Sequence, residues 1–211
     1  MIAALLLSLL VIAGPGSDRG TVRIAPVDQC AADPSFAEFR DGLRRAIAGR
    51  DREQILASVV DDIEIGFGGD RGRADFARAW ALERPQTSPL WHELEEALRL
   101  GCAVDADGSY WSPSLFLARE VDDPFGTMLA IQPGAALHAA PDTSSGVVAA
   151  LDWDLLTVLQ WEEGAAWQLV QLSDGRSGYV RTEALRSPVD YRAGFRRIDG
   201  SWRMIAFLAG D

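Results

Sequence analysis

The sequence predicts an α+β fold, in which a helix-rich N-terminal part packs with a C-terminal β-hairpin and is joined to a small β-rich unit. Three observations lead to this expectation. Apolar residues recur at helical spacing as far as Gly101, whereas from about Gly126 they alternate with polar residues as strands do. No Pro/Ser-rich linker lies between the two regions, so we expect them to pack together.

The first predicted helix lies in PSFAEFRDGLRRAIAGRD. Ser35 is followed three positions later by Glu38, which predicts a capping box at its start, and Gly49 predicts its end. Its apolar residues follow helical spacing: Phe36, Phe39, Leu43 and Ile47. Asp51 is then the expected cap of a second helix.

A strand is expected next, in DIEIGFGG, where Ile63, Ile65 and Phe67 alternate with other residues. A hairpin is expected near the end of the chain, where Asp199-Gly200 separates two apolar runs and predicts a two-residue turn. Simple pairing across that turn predicts one apolar face, formed by Tyr191, Ala193, Phe195, Trp202, Met204, Ala206 and Leu208.

The charge balance argues against two classes of partner. The chain carries 31 acidic and 20 basic residues, for a formal net charge of -11. Because such a surface repels phosphate backbones and anionic lipid headgroups, neither nucleic acid nor a membrane surface is an expected partner.

The N-terminus resembles a secretory leader. Met1 to Ala13 are almost all apolar and are followed by GPGS. This run is shorter than the ~20 residues that span a bilayer, and it fits the apolar core of a signal peptide over residues 1–17. No Lys or Arg precedes it, so an uncleaved anchor and a misassigned start codon are the alternatives. The expected location is therefore periplasmic or secreted.

Two cysteines, Cys30 and Cys102, are present. In an exported protein an even number of cysteines predicts a disulfide; two buried thiols are the alternative. The two histidines, His92 and His138, have no metal-ligand spacing with them. We therefore expect no metal site.

The sequence contains no recognisable catalytic set, and no cofactor motif either. His92 follows Trp91 in an amphipathic segment, which favours a half-buried structural histidine. The acidic groups fit solvated faces and turns, although a carboxylate pair in an apolar pocket could catalyse proton transfer. DADG starts like a calcium loop, but Phe116 stands where the loop needs a bidentate Glu.

Residues 133–186 resemble a bacterial SH3 domain, a small five-stranded barrel. The similarity lies in ALHAAPDTSSGVVAAL and in VLQWEEGAAWQLVQLSDGRSGYVRTEAL, with its Trp before a strand, its DGR turn and its Gly-aromatic-Val. The sequence departs from the family at Trp153-Asp154, where a Gly is usual, and at His138, where Arg is commonest.

The resemblance leaves two readings of the aromatic residues. In one, the aromatic residues only help to form the core and rim of the barrel, together with aliphatic neighbours. The residues in that role are Trp167, Val170, Leu172, Tyr179 and Val180. In the other, Trp153, Trp161 and Tyr179 present a platform for a peptide or a glycan, because aromatic rings offer large contact area at low entropy cost.

The flanking segments are similar to pieces of the cone-shaped fold of nuclear transport factor and SnoaL-like proteins. The similarity lies in FAEFRDGL to DIEIGFGG and in YRAGFRRIDGSWRMIAFLAGD. It implies that residues 187–211 return as a hairpin to a helix-rich domain over residues 33–132. A pocket between the helices and that hairpin would be lined by Phe67, Trp80, His92, Trp111, Phe195 and Trp202.

The favoured hypothesis is an exported, non-enzymatic protein that uses its SH3-like unit to bind. Its expected partner is a cell-wall peptide or glycan, or another envelope protein. The alternative is a small-ligand-binding protein or enzyme that uses the cone-like pocket. A purely structural or assembly role is the third class.

Overall fold

The structure is a computed structural model that describes residues 21–118 and 121–210. These residues form a mixed α+β fold, as predicted. The helices are α1 (Pro34–Gly49), α2 (Arg52–Ser58), α3 (Arg73–Ala79), α4 (Leu90–Arg99) and α5 (Leu115–Ala118). The strands are β1 (Val59–Glu64), β2 (Ala103–Val104), β3 (Tyr110–Ser112), β4 (Thr127–Ala130), β5 (Ala136–His138), β6 (Val147–Ala150), β7 (Leu155–Gln160), β8 (Trp167–Gln171), β9 (Ser177–Arg181), β10 (Leu185–Arg186), β11 (Arg192–Ile198) and β12 (Ser201–Leu208).

The first sheet joins the two ends of the described chain. Its strand order is β1-β12-β11-β3-β2. β1 runs parallel to β12, and the other neighbours are antiparallel. The hairpin β11–β12, which turns at Asp199-Gly200 as expected, therefore lies inside a sheet made otherwise from residues before 113. Helix α1 packs on β12 and helix α4 packs on β11.

The register of this hairpin differs from the residue-by-residue pairing predicted from the sequence. Phe195 lies opposite Met204, but Gly194 lies opposite Ala206, so Ile205 is an extra, bulged residue. A bulge of one residue exchanges the two faces beyond it. Phe207 consequently joins the main core, whereas the predicted Ala206 and Leu208 do not. The face expected across the hairpin was wrong beyond Met204.

Helix α1 begins two residues earlier than the sequence suggested. Its cap is Asp33, whose Oδ1 accepts hydrogen bonds from the backbone N–H groups of Ser35 (2.8 Å) and Phe36 (3.2 Å). Pro34 occupies the first helical position, where its missing N–H costs nothing. The predicted cap at Ser35 was therefore wrong. Asp51 caps α2 as predicted, by accepting from Gln54 N at 3.0 Å.

Strand β1 is displaced towards the N-terminus. It begins at Val59, immediately after the seven-residue α2, and ends at Glu64. The expected alternation through Phe67 therefore ends early, and Phe67 lies in the loop that follows, with 59% of its surface exposed.

The second sheet is antiparallel, with strand order β10-β4-β7-β8-β9-β5-β6. It lies over a small apolar cluster of its own, formed by Ala130, Leu137, Leu151, Leu156, Val170, Leu172, Val180 and Ala184. The end strands β10 and β6 do not pair with each other. The sheet is thus open, and a closed barrel is not confirmed.

A third cluster joins the second sheet to helix α5 and to the end of helix α4. It contains Ile24, Leu100, Leu115, Leu129 and Ile131, with Trp153 and Leu155 packed against it. The N-terminal segment runs along the start of β7, because Ile24 N donates to Trp153 O (2.9 Å) and Leu155 N donates to Val22 O (2.8 Å). Apolar contacts therefore connect the second sheet to the helices, and the N-terminal segment adds backbone hydrogen bonds to the second sheet.

Cys30 and Cys102 form the predicted disulfide, and both are fully buried. Backbone bonds lie on both sides of it, from Gln29 N to Cys102 O and from Cys102 N to Val27 O. The bridge fastens the segment before α1 to the first sheet. The predicted leader, residues 1–17, lies outside the described residues. Within 21–118 and 121–210, no helix combines the length and apolarity needed to cross a membrane.

Candidate functional site

The face of the second sheet that points away from its own core carries a row of large side chains. Leu169 lies directly opposite Tyr179 in the β8–β9 pair, and His138 lies opposite Tyr179 in the β5–β9 pair. Residues directly opposite each other point to the same face of a sheet. Since their neighbours Val170 and Val180 point into the core, these three side chains point outward.

Trp167 and Arg181 extend this row. They lie opposite each other on β8 and β9, and the Arg181 guanidinium stands 5.2 Å from the centre of the Trp167 ring. The His138 ring meets the Trp167 ring edge-on, with 5.3 Å between centres and an angle of 79°. We call the set His138, Trp167, Leu169, Tyr179 and Arg181 the outer aromatic face.

The side chains of the outer aromatic face are partly exposed. Its four apolar or aromatic members are half-buried, and Arg181 is exposed. Neighbouring rings hold each other in place through the edge contact and the cation–π contact, so the face is preformed. His138 Nδ1 is buried and has no hydrogen-bond partner in the described part of the chain.

Trp161 lies at the border of this face. It follows β7 directly, and its neighbour Gln160 is opposite Leu169. Trp161 is 47% exposed and Leu159 is 48% exposed. Exposed apolar groups beside a half-buried aromatic row extend the area that a ligand could contact.

The three residues predicted as a platform do not all lie together. Tyr179 is a member of the outer aromatic face and Trp161 borders it. Trp153 packs instead against the third cluster, and its backbone adopts a left-handed conformation with φ of 57°. Trp153 thus contributes to the junction between the layers.

The residues predicted to line a cone-like pocket are dispersed. Trp80, Phe195 and Trp202 belong to the main core. There Phe36 fills the space between two of them, with its ring centre 5.4 Å from that of Phe195 and 4.9 Å from that of Trp202. Aromatic side chains therefore fill this part of the predicted cone-like pocket.

The other three residues predicted to line the cone-like pocket lie outside the main core. Trp111 is opposite Gly194 and thus on the reverse face of the sheet from Phe195; its Nε1 donates to Asp105 Oδ2 at 2.8 Å. Phe67 is in an exposed loop, 5.4 Å from the Arg192 guanidinium. His92 is exposed on α4 and borders a polar cleft.

Sequence reasoning missed His138 and Arg181 as members of a shared surface and interpreted Trp167 only as part of the barrel. A usable signal was present in AWQLVQL, where Trp167 and Leu169 alternate with the buried Gln168 and Val170. Which of the two faces is covered depends on the rest of the fold, and the strand alone does not contain that information.

No family model, no curated protein and no solved structure matches this chain.

Proposed function

We propose that this chain is an exported, non-enzymatic binding protein and that its second sheet is an SH3-like module. The ligand binds at the outer aromatic face. The observation that carries the proposal is the preformed row of His138, Trp167 and Tyr179, which keeps partly exposed rings on the side of the sheet opposite its core.

The SH3-like assignment is supported by position and by packing. Strands β5 to β10 fall within residues 133–186, where the resemblance to a bacterial SH3 domain was noted, and they share one small core. The first sheet is built from residues on either side of this segment. That arrangement supports an SH3-like module inserted into a cone-like α+β layer.

The buried disulfide supports export, because such bonds persist in oxidising compartments. Together with the leader-like N-terminus, it supports a ligand in the cell envelope. The outer aromatic face suits a peptide or glycan of the cell wall, since rings pack against apolar faces of such ligands at low entropy cost. Arg181 adds a cation for carbonyl or carboxylate groups.

The proposal is tested with the full chain and purified peptidoglycan sacculi. The native protein is expected to co-sediment, and Trp167→Ala and Tyr179→Ala are each expected to weaken binding about tenfold, which corresponds to roughly 1.4 kcal/mol. Phe125→Ala is the matched control, because Phe125 is 69% exposed and lies outside the face. Circular dichroism checks that each variant is folded.

Two results oppose the proposal. If the native chain stays in the supernatant with sacculi, the cell wall is not its ligand. If it sediments but both face variants bind as tightly as Phe125→Ala, the ligand binds at another surface.

A further inference from the structure

A polar cleft lies between helix α4 and the second sheet, and none of its lining residues belongs to the outer aromatic face. It has a volume of about 320 Å³. Helix α4 forms one wall, and the segments around β10 and before β11 form the other. Clefts between structural layers are a preferred place for small-ligand sites.

Four carboxylates line this cleft: Glu93, Glu96, Glu183 and Asp190. Three of them have cationic partners. Arg99 binds both oxygens of Glu96, at 2.7 and 2.6 Å. Arg186 lies 3.4 Å from Asp190, and Arg181 lies 3.5 Å from Glu183.

Glu93 differs from the other three. Its side chain is half-buried, yet it has no hydrogen bond and no ion pair within the described residues. Burial raises the pKa of the Glu93 carboxyl, and the charge of Asp190 raises it further. An acceptor that is partly desolvated and unpaired is unfavourable in a folded protein, so the Glu93 carboxylate is available to a donor that enters the cleft.

Arg186 forms the floor of the cleft without serving as that donor. Its side chain is 4% exposed. One guanidinium nitrogen donates to Tyr191 O at 2.7 Å, another faces Asp190, and Nε is buried with no partner in the described part of the chain. The guanidinium is thus held in place beside Asp190, and Glu93 remains open to the cleft.

The lining also has an apolar component. Ile131 and Leu185 lie beside the charged groups. A ligand with a short alkyl stem could bury its methylenes against them, as the stem of a lysine does on protein surfaces. The cleft therefore combines a carboxylate acceptor with a place for a hydrocarbon chain.

We propose that this cleft binds an alkyl ammonium group, with the Glu93 carboxylate accepting its N–H donors. Carboxylates outnumber guanidinium groups in the lining, and each lining arginine already faces a carboxylate, so the cleft favours a cation over an anion. A compact metal ion fits less well, because the cleft carboxylates do not form a close group of three among the described residues. An ammonium group offers three donors and tolerates such spacing.

Two sources offer this chemistry: a free alkylamine, and the side chain of a lysine-type residue in a peptide. Isothermal titration of the full chain can distinguish them with n-butylamine and with N-acetyl-lysine methylamide. N-acetyl-norleucine methylamide, which lacks the ammonium group, is the negative control. Binding of either amine, with none of the norleucine compound, supports the site, and the amine that binds more tightly identifies the source.

The matched variants are Glu93→Gln and Glu95→Gln. Both remove one carboxylate from α4, but Glu95 does not line the cleft. We expect Glu93→Gln to weaken amine binding at least about tenfold and Glu95→Gln to leave it unchanged. Because the acceptor must be ionised, binding should also weaken on acidification. The titratable and charged groups facing Glu93 are Asp190, His92, Arg186 and Glu96.

The proposal is overturned if neither amine binds, if the norleucine compound binds equally well, or if Glu93→Gln binds like the native chain. These outcomes do not depend on the outer aromatic face. Trp167→Ala, which tests that face, is expected to bind the amine normally.

Discussion

The indole Nε1 of Trp202 donates a hydrogen bond to Ser35 Oγ at 3.0 Å, so the last strand is joined to the first turn of the first helix. Ser35 Oγ in turn donates to Asp33 Oδ1 at 2.7 Å. The residue that caps α1 therefore also fixes the acceptor for a core tryptophan. This relay links residues 167 positions apart and supports the main core at its rim.

Replacing Ser35 with Ala is expected to lower the free energy of unfolding by about 1–2 kcal/mol, because the indole N–H loses its acceptor. Urea denaturation followed by circular dichroism measures the change. Ser173→Ala is the control, since Ser173 lies in an exposed turn, and it should stay within about 0.5 kcal/mol of the native chain. Equal stability of the two variants would contradict the role of the relay.

Opening the Cys30–Cys102 bridge is expected to destabilise the chain by about 4 kcal/mol, because the bridge closes a long loop in the unfolded state. The two cysteines are 72 positions apart. Denaturation with and without a reductant measures the loss. The double variant Cys30→Ala/Cys102→Ala should be as unstable as the reduced chain and should not respond to reductant; a native chain insensitive to reduction would refute this.

The local turns and the disulfide could be predicted from the sequence, whereas the details of register could not. Asp199-Gly200 identifies the hairpin because few residue pairs favour its backbone conformation. The bulge at Ile205 carries no comparable signal: it depends on how Gly194 and Phe207 fit between the neighbouring strands. The cap of α1 was misassigned because Asp33, Pro34 and Ser35 all favour a helix start.

The candidate surface was predictable only in part, for a similar reason. Alternation along β8 and β9 separates Trp167 and Tyr179 from Val170 and Val180. Whether the first group faces solvent or a second layer depends on long-range packing. Trp153 illustrates the point, since an equally aromatic residue near β7 lies against Ile24 from the start of the chain.

Gly178 allows strands β5 and β9 to approach closely. A Cβ at this position would overlap the carbonyl oxygen of His138 and stand 3.0 Å from Leu137 Cγ. Gly178→Ala is therefore expected to cost about 1–3 kcal/mol through displaced backbone, and to shift the tryptophan fluorescence by moving His138 away from Trp167. Gly146→Ala, where nothing lies within 4 Å, should change neither quantity; a similar loss in both variants would disprove the steric argument.

Glu93→Gln is expected to stabilise the chain at neutral pH. Burial and the neighbouring Asp190 raise the pKa of the Glu93 carboxyl above its ordinary value of 4.5. Ionising it therefore costs more in the folded state than in the unfolded state. The contribution of the Glu93 carboxyl to the free energy of unfolding is fully present below its pKa in the unfolded chain. That contribution is lost as the pH rises through its pKa in the folded chain. Since the side chain is half-exposed and water screens it, the gain at pH 7 should be below about 1 kcal/mol.

The pH dependence distinguishes this effect from a general surface effect. In urea denaturation series from pH 4 to pH 8, the difference in stability between Glu93→Gln and the native chain should grow with pH and be smallest at the acid end, where the carboxyl is increasingly protonated. Glu95→Gln, on the same helix but away from the cleft, should show no such trend. Two outcomes would contradict this: a difference in stability that does not change with pH, or a Glu93→Gln variant less stable than the native chain at pH 7. Either would mean that the Glu93 carboxylate already has partners in the folded chain. The cleft would then hold no unpaired acceptor for an ammonium ligand.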